Sequence, residues 1–133
     1  MERGLFVIDY QNDFVDGALG FAGAELLDER IAAKIREYGK DCVWFTRDTH
    51  FENYLETREG KNLPIVHCVK GTDGWQVYGQ TAIALNEVGA RAIDKLVKSY
   101  SSTTKVVKSN VVGIAVSDVG LCACKNLLRN CVT

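Results

Sequence analysis

The chain has little of what would tie it to a membrane, a nucleic acid or an oxidising compartment. No apolar stretch approaches the roughly 20 residues that a bilayer-spanning helix needs, so no membrane partner is expected. There is no run of like charges and the net charge is −1, which speaks against nucleic acid or an anionic surface as a partner. Met1-Glu2-Arg3-Gly4 leads straight into an apolar run with no space for a signal peptide, so a cytoplasmic location is expected. The five cysteines are an odd number, which argues against a disulfide framework and for reduced thiols. Cys42, inside Cys42-Val43-Trp44-Phe45, reads as a small buried hydrophobe. Cys122 and Cys124 are separated by one residue, a poor spacing for a zinc knuckle.

What is present is ordinary globular material. The 133 residues are 47% hydrophobic and 25% charged, which fits one domain spanning residues 1–133. The apolar run over residues 5–8 reads as a strand buried on both faces. Gly17, Gly20 and Gly23 then mark a loop, and residues 24–38 an amphipathic helix with Leu27, Ile31, Ile35 and Tyr38 on one side. Gly39 stops it, and residues 42–46 form a second strand. Strand, helix, strand at this spacing predicts a right-handed parallel βαβ unit.

From residue 47 to about 76 the pattern dissolves into a polar loop holding both histidines and the only proline, Pro64. Loops of that length are usually functional. A short helix over 81–88, strands over 90–97 and 111–116 and a closing helix over 121–129 complete the reading. The expected fold is a three-layer, Rossmann-like parallel α/β sheet flanked by helices, with a shortened C-terminal part.

Chemistry-bearing residues gather at the ends of these strands, where open α/β sheets place their ligands. Asp9 ends the first strand, and Lys95 lies near the end of the third. An ammonium beside a carboxylate keeps it ionised and can stabilise developing negative charge. Cys122, just past the fourth strand and near a helix N-terminus, could have its thiol pKa lowered by the helix dipole. A base, a cation and a thiol converging at one sheet edge would make a nucleophilic site. In the long loop, Asp48-Thr49-His50 and His67, with a carboxylate from Glu52, Glu56 or Glu59, offer an oxygen and nitrogen shell for zinc, iron or manganese. Read without a metal, the same stretch is a solvated loop with hydrogen-bonding histidines.

Three motifs, Ile8-Asp9-Tyr10-Gln11-Asn12-Asp13-Phe14, Thr46-Arg47-Asp48-Thr49-His50 and His67-Cys68-Val69-Lys70-Gly71-Thr72-Asp73-Gly74-Trp75, resemble the isochorismatase-like cysteine hydrolases. The nicotinamidase branch is the nearest in pattern, over about residues 5–95. The resemblance implies an Asp-Lys-Cys triad of Asp9, Lys95 and Cys122 that hydrolyses a small amide to carboxylate and ammonia through a thioester. It further implies a divalent metal held by Asp48, His50, His67 and a fourth ligand, Glu59, with Glu56 as the second choice. A homo-oligomer is expected by the same analogy.

After about residue 97 the chain departs from the family pattern and reads as truncated or divergent. Ser117-Asp118-Val119 fits the cysteine motif, but Gly120 stands where the family has cysteine, and Cys122 comes two positions later. Alternatives therefore stay open: Cys124 as nucleophile, a catalytically silent member that binds a ligand or assembles with a partner, or an isochorismatase-type hydrolase.

Overall fold

A computed structural model describes residues 3–96 and 119–120. Strand β1, Arg3–Ile8, pairs in parallel with β2, Val43–Thr49, which pairs in parallel with β3, Arg91–Leu96. A two-residue strand β4, Val119–Gly120, runs antiparallel to β1 with Gly120 in register with Arg3, giving the order β3-β2-β1-β4. The expected strand over 111–116 and helix over 121–129 lie outside the described residues.

One sheet face is sealed by two helices, α2, Asp28–Tyr38, and α4, Gly79–Glu87. Leu5, Val7 and Val43 from the sheet meet Ile31, Ala32 and Ile35 of α2 and Ala84 and Leu85 of α4, all buried. The helical spacing of Ile31 and Ile35 produces this stripe. The first turn of the expected 24–38 helix is a tighter 3-10 segment, Ala24–Leu27. At the far end Gly39, with φ +70, donates its N–H to the Ile35 carbonyl and stops α2.

The two helices are also joined by a polar clamp. Buried Asp28 accepts the Gln80 N–H at 2.7 Å and the Thr81 N–H and hydroxyl at 2.8 Å each, capping α4 from outside because Tyr78 at its N-cap has no side-chain cap. Gly79 has φ +46 and a Cβ there would strike the Asp28 carboxylate, so only glycine suits the approach.

Cys42, expected to be buried, is half-buried because it precedes β2 instead of lying in it, and two further expectations differ from the structure. Strand β2 continues three residues beyond Thr46, because β3 pairs with it as far as Thr49↔Leu96 and the charged pair Arg47↔Asp94 is in register. Arg47 forks onto Asp94 at 2.8 and 3.1 Å and lies 3.8 Å above the Trp75 ring, so a charge inside the strand is satisfied. The polar stretch to residue 76 is not structureless: it holds 3-10 turns at Tyr54–Glu56 and Asp73–Trp75 and a short helix α3, Arg58–Asn62. Thr57 caps α3 by accepting the Gly60 N–H at 3.0 Å, and fully buried Tyr54 donates to the Leu63 carbonyl at 2.8 Å. Neither bond leaves a periodic trace in sequence. The remaining element is α1, Asn12–Val15, one turn after β1. Among the described residues no helix is long and apolar enough to cross a membrane.

Candidate active site and metal centre

Strand β1 ends in a sharp turn. Asp9 has φ +52, a left-handed conformation that residues with a Cβ adopt at a cost, and such outliers cluster at functional sites. It is buried, 8% exposed. The Thr46 hydroxyl donates to its Oδ1 at 2.6 Å and accepts its N–H at 3.2 Å, while the Thr46 carbonyl accepts the same N–H at 3.2 Å.

Residues two apart on a strand share a face. Thr46 and Asp48 on β2, with His50 just beyond it, therefore stand in one row, and Arg47 and Thr49 face away toward Trp75, whose Nε1–H donates to the Thr49 hydroxyl at 2.9 Å. His50 is held by the returning loop: its N–H donates to the Cys68 carbonyl and its carbonyl accepts from Lys70, both at 2.9 Å. That pairing carries His67 to the Asp48–His50 row.

The structure brings Asp48, His50, Glu59 and His67 together, with one ligand atom from each lying within 4.8 Å of the others. His50 Nε2 is 3.0 Å from Asp48 Oδ2 and 4.0 Å from Glu59 Oε1, and His67 Nε2 is 3.5 Å from Asp48 Oδ2. Both imidazoles are buried and Glu59 is partly exposed. The His67 Nδ1–H donates to the Ile65 carbonyl at 2.7 Å, which leaves Nε2 with the lone pair in the neutral ring. Tyr54 packs against both imidazoles at 4.7 and 5.1 Å between centroids, and Phe14 against His67 at 5.6 Å. Glu56, the other candidate ligand, is exposed and is not part of this group.

Electrostatics fit a cation. Burial works against the Asp48 carboxylate, yet hydrogen bonds and charge from His50 and His67 overcome it and hold Asp48 well below the usual carboxylate range. Burial likewise opposes the His67 imidazolium, and hydrogen bonds to Asp48 and the Ile65 carbonyl more than offset it, raising its pKa. Two imidazole nitrogens and two carboxylates suit zinc, iron or manganese.

Lys95 lies on β3 in register with Asp48, at the same C-terminal sheet edge as Asp9 with β2 between them. Two strand spacings put the two backbones about 10 Å apart. Cys122 and Cys124 lie outside the described residues. Cys68 is the thiol nearest the ligands in sequence, but burial first, then Asp48, Asp13 and Asp9, push its pKa far up, which disfavours its thiolate at neutral pH.

Sequence reasoning missed Thr46, Gln11 and Asp13. Thr46 holds Asp9, Gln11 bonds the Asp48 backbone and Asp13 the Cys68 backbone. All three stand inside the motifs that carry Asp9, Asp48 and His67, and that position is the only mark the sequence gives them.

Solved structures of similar fold carry consistent names. A nicotinamidase from Bacillus subtilis superposes with a TM-score of 0.58 at 25% identity over 71% of this chain and 56% of that one. A pyrazinamidase/nicotinamidase from Streptococcus mutans gives 0.57 at 30% identity over 68% and 54%. A pyrazinamidase from Pyrococcus horikoshii, in complex with zinc, gives 0.58 at 27% identity over 77% and 56%. The chain thus spans little more than half the length of these relatives. No protein-family model and no curated protein matches it.

Proposed function

We propose, from a fold that is that of the isochorismatase-like hydrolases, that this chain is an amidohydrolase converting a small amide of the nicotinamide type to its carboxylate and ammonia. The observation that carries the reading is the Asp48/His50/Glu59/His67 group standing in line with the Thr46–Asp9 pair at the C-terminal edge of the sheet.

Asp9, held by Thr46, takes the proton of the attacking thiol and passes it to the departing ammonia. Lys95 keeps the Asp9 carboxylate ionised and offsets negative charge that develops on the amide oxygen. The Cys122 sulfur forms a bond to the amide carbon as the C–N bond breaks, giving a thioester; water then cleaves the C–S bond, releasing carboxylate and thiol. Asp48, His50, Glu59 and His67 would hold a divalent metal, which would supply a Lewis-acid contact for a ring nitrogen of the substrate. A cytoplasmic location and a homo-oligomeric state are part of the same proposal.

Metal-loaded chain incubated with a panel of small amides, nicotinamide included, is expected to release ammonia from at least one. No release from any of them contradicts the reading.

A second reading, a catalytically silent relative that binds a ligand, has one observation in its favour. Gly120, at the position of the family's cysteine, is in register with Arg3 at the end of β1 opposite Asp9. A thiol-specific electrophile separates the two: fast, selective labelling of Cys122 at neutral pH supports the enzyme, and uniformly slow labelling of all cysteines supports the silent form.

A further inference from the structure

Two side chains that the chemistry above does not use grip two of the three segments carrying the metal ligands, those of Asp48 and His67. The β1–β2 ladder ends at Ile8↔Thr46, because Asp9 turns the chain aside, whereas β2 runs on to Thr49. At Asp48 the place of the β1 backbone is taken by a side chain. Gln11 Oε1 accepts the Asp48 N–H at 2.7 Å and Gln11 Nε2 donates to the Asp48 carbonyl at 2.9 Å. The other Nε2 hydrogen goes to the Trp75 carbonyl at 2.8 Å. A fully buried primary amide thus stands in for one residue of a missing strand, offering both donor and acceptor. On its opposite side Asp48 is paired with Lys95 of β3, so its backbone is fixed from both flanks.

The second arm is held by Asp13, in the first turn of α1. Its Oδ2 accepts the N–H of Cys68, the residue after His67, at 2.7 Å. Cys68 has φ +47, a strained conformation that needs such a tether. The carboxylate fits there because Gly74 leaves it room: a Cβ on Gly74 would overlap Asp13 Oδ2.

We propose that Gln11 and Asp13 are positioning residues for the divalent-metal site, setting Asp48 and His67 at ligating separation before an ion arrives. The proposal rests on the metal reading above and deepens it. Partners that orient metal ligands commonly change affinity by about 10–100-fold when removed.

The test is a zinc titration of the full chain, by competition with a chromophoric chelator, with folding followed by far-ultraviolet circular dichroism. Gln11→Met keeps the bulk and removes all three hydrogen bonds; Asp13→Ala removes the Cys68 tether. Asp13→Asn retains an acceptor for the same N–H. Asn12→Ala is the control, because its side chain bonds the Asp73 carbonyl instead of either ligand arm. Expected are about 10–100-fold weaker zinc binding in Gln11→Met and Asp13→Ala, recovery to within a few-fold in Asp13→Asn, and no change in Asn12→Ala. Folded Gln11→Met or Asp13→Ala with the parent's affinity overturns the proposal, as does equal weakening in Asn12→Ala. Should those variants fail to fold, amide hydrogen exchange on the unsubstituted metal-free chain decides: slow exchange at both Asp48 and Cys68 is expected, and fast exchange at either contradicts it. A parent chain that takes up no zinc, with both amides protected, would instead count against the metal reading itself.

Discussion

The Thr46 hydroxyl donates to Asp9 Oδ1 at 2.6 Å, tying the residue that ends β1 to the middle of β2. Asp48 follows two residues later on the same face, about 6.6 Å along the strand. One strand therefore sets both the carboxylate assigned to proton transfer and the first metal ligand. The aim of Asp9 and the position of the metal are consequently not independent.

Replacing Thr46 by valine keeps the shape and removes the hydroxyl. The buried Asp9 oxygen loses that partner, and a stability loss of about 1–2 kcal/mol is expected in urea denaturation. Amide turnover should fall at least tenfold, and Thr46→Ser should restore most of both.

The four ligands are not equivalent. His67 is buried and oriented by the Ile65 carbonyl, whereas Glu59 is partly exposed and 4.0 Å from His50. His67→Ala should reduce metal affinity at least 100-fold, and Glu59→Gln by about tenfold. Metal content after dialysis, read by elemental analysis, distinguishes them.

Much of this was legible in the chain. The apolar run before Asp9, the spacing of Ile31 and Ile35, and the confinement of both histidines to one polar stretch are local patterns with direct physical meaning. The supporting residues were not legible for the same reason. Gln11 acts on Asp48 across 37 positions and Asp13 on Cys68 across 55, and neither bond leaves a periodic mark. The helix α3 was hidden because its stability comes from the Thr57 cap and the Tyr54 anchor, not from an amphipathic stripe.

The Asp48–His67 pair predicts how the metal-free protein responds to pH. Asp48 is depressed below its ordinary 3.8, so its contribution is present above about that pH and is lost only as pH falls through the still lower folded value. His67 is raised above its ordinary 6.5, so its contribution is full below 6.5 and is lost as pH rises through the folded value. With chelator present, the contribution of this pair to stability should therefore be greatest between about pH 4 and 6.5 and decline above. Zinc affinity should move the opposite way, rising as His67 loses its proton. Thermal melts with and without zinc across this range check both signs.

Cys68 is buried, with its pKa raised by that burial and by the surrounding carboxylates. It should label with iodoacetamide at neutral pH at least 100-fold more slowly in the folded chain than in urea. Peptide mapping reads this site by site, and fast labelling of folded Cys68 would contradict its placement.

The most direct measurement is nicotinamide hydrolysis by the zinc-loaded chain beside its Asp9→Asn variant at matched metal content. The account predicts nicotinate and ammonia in equal amounts from the parent chain, and a loss of about 10²–10⁴-fold in the variant, the range for a general base. Equal turnover by both proteins, or none by the parent on nicotinamide or any other amide of the panel, would contradict it.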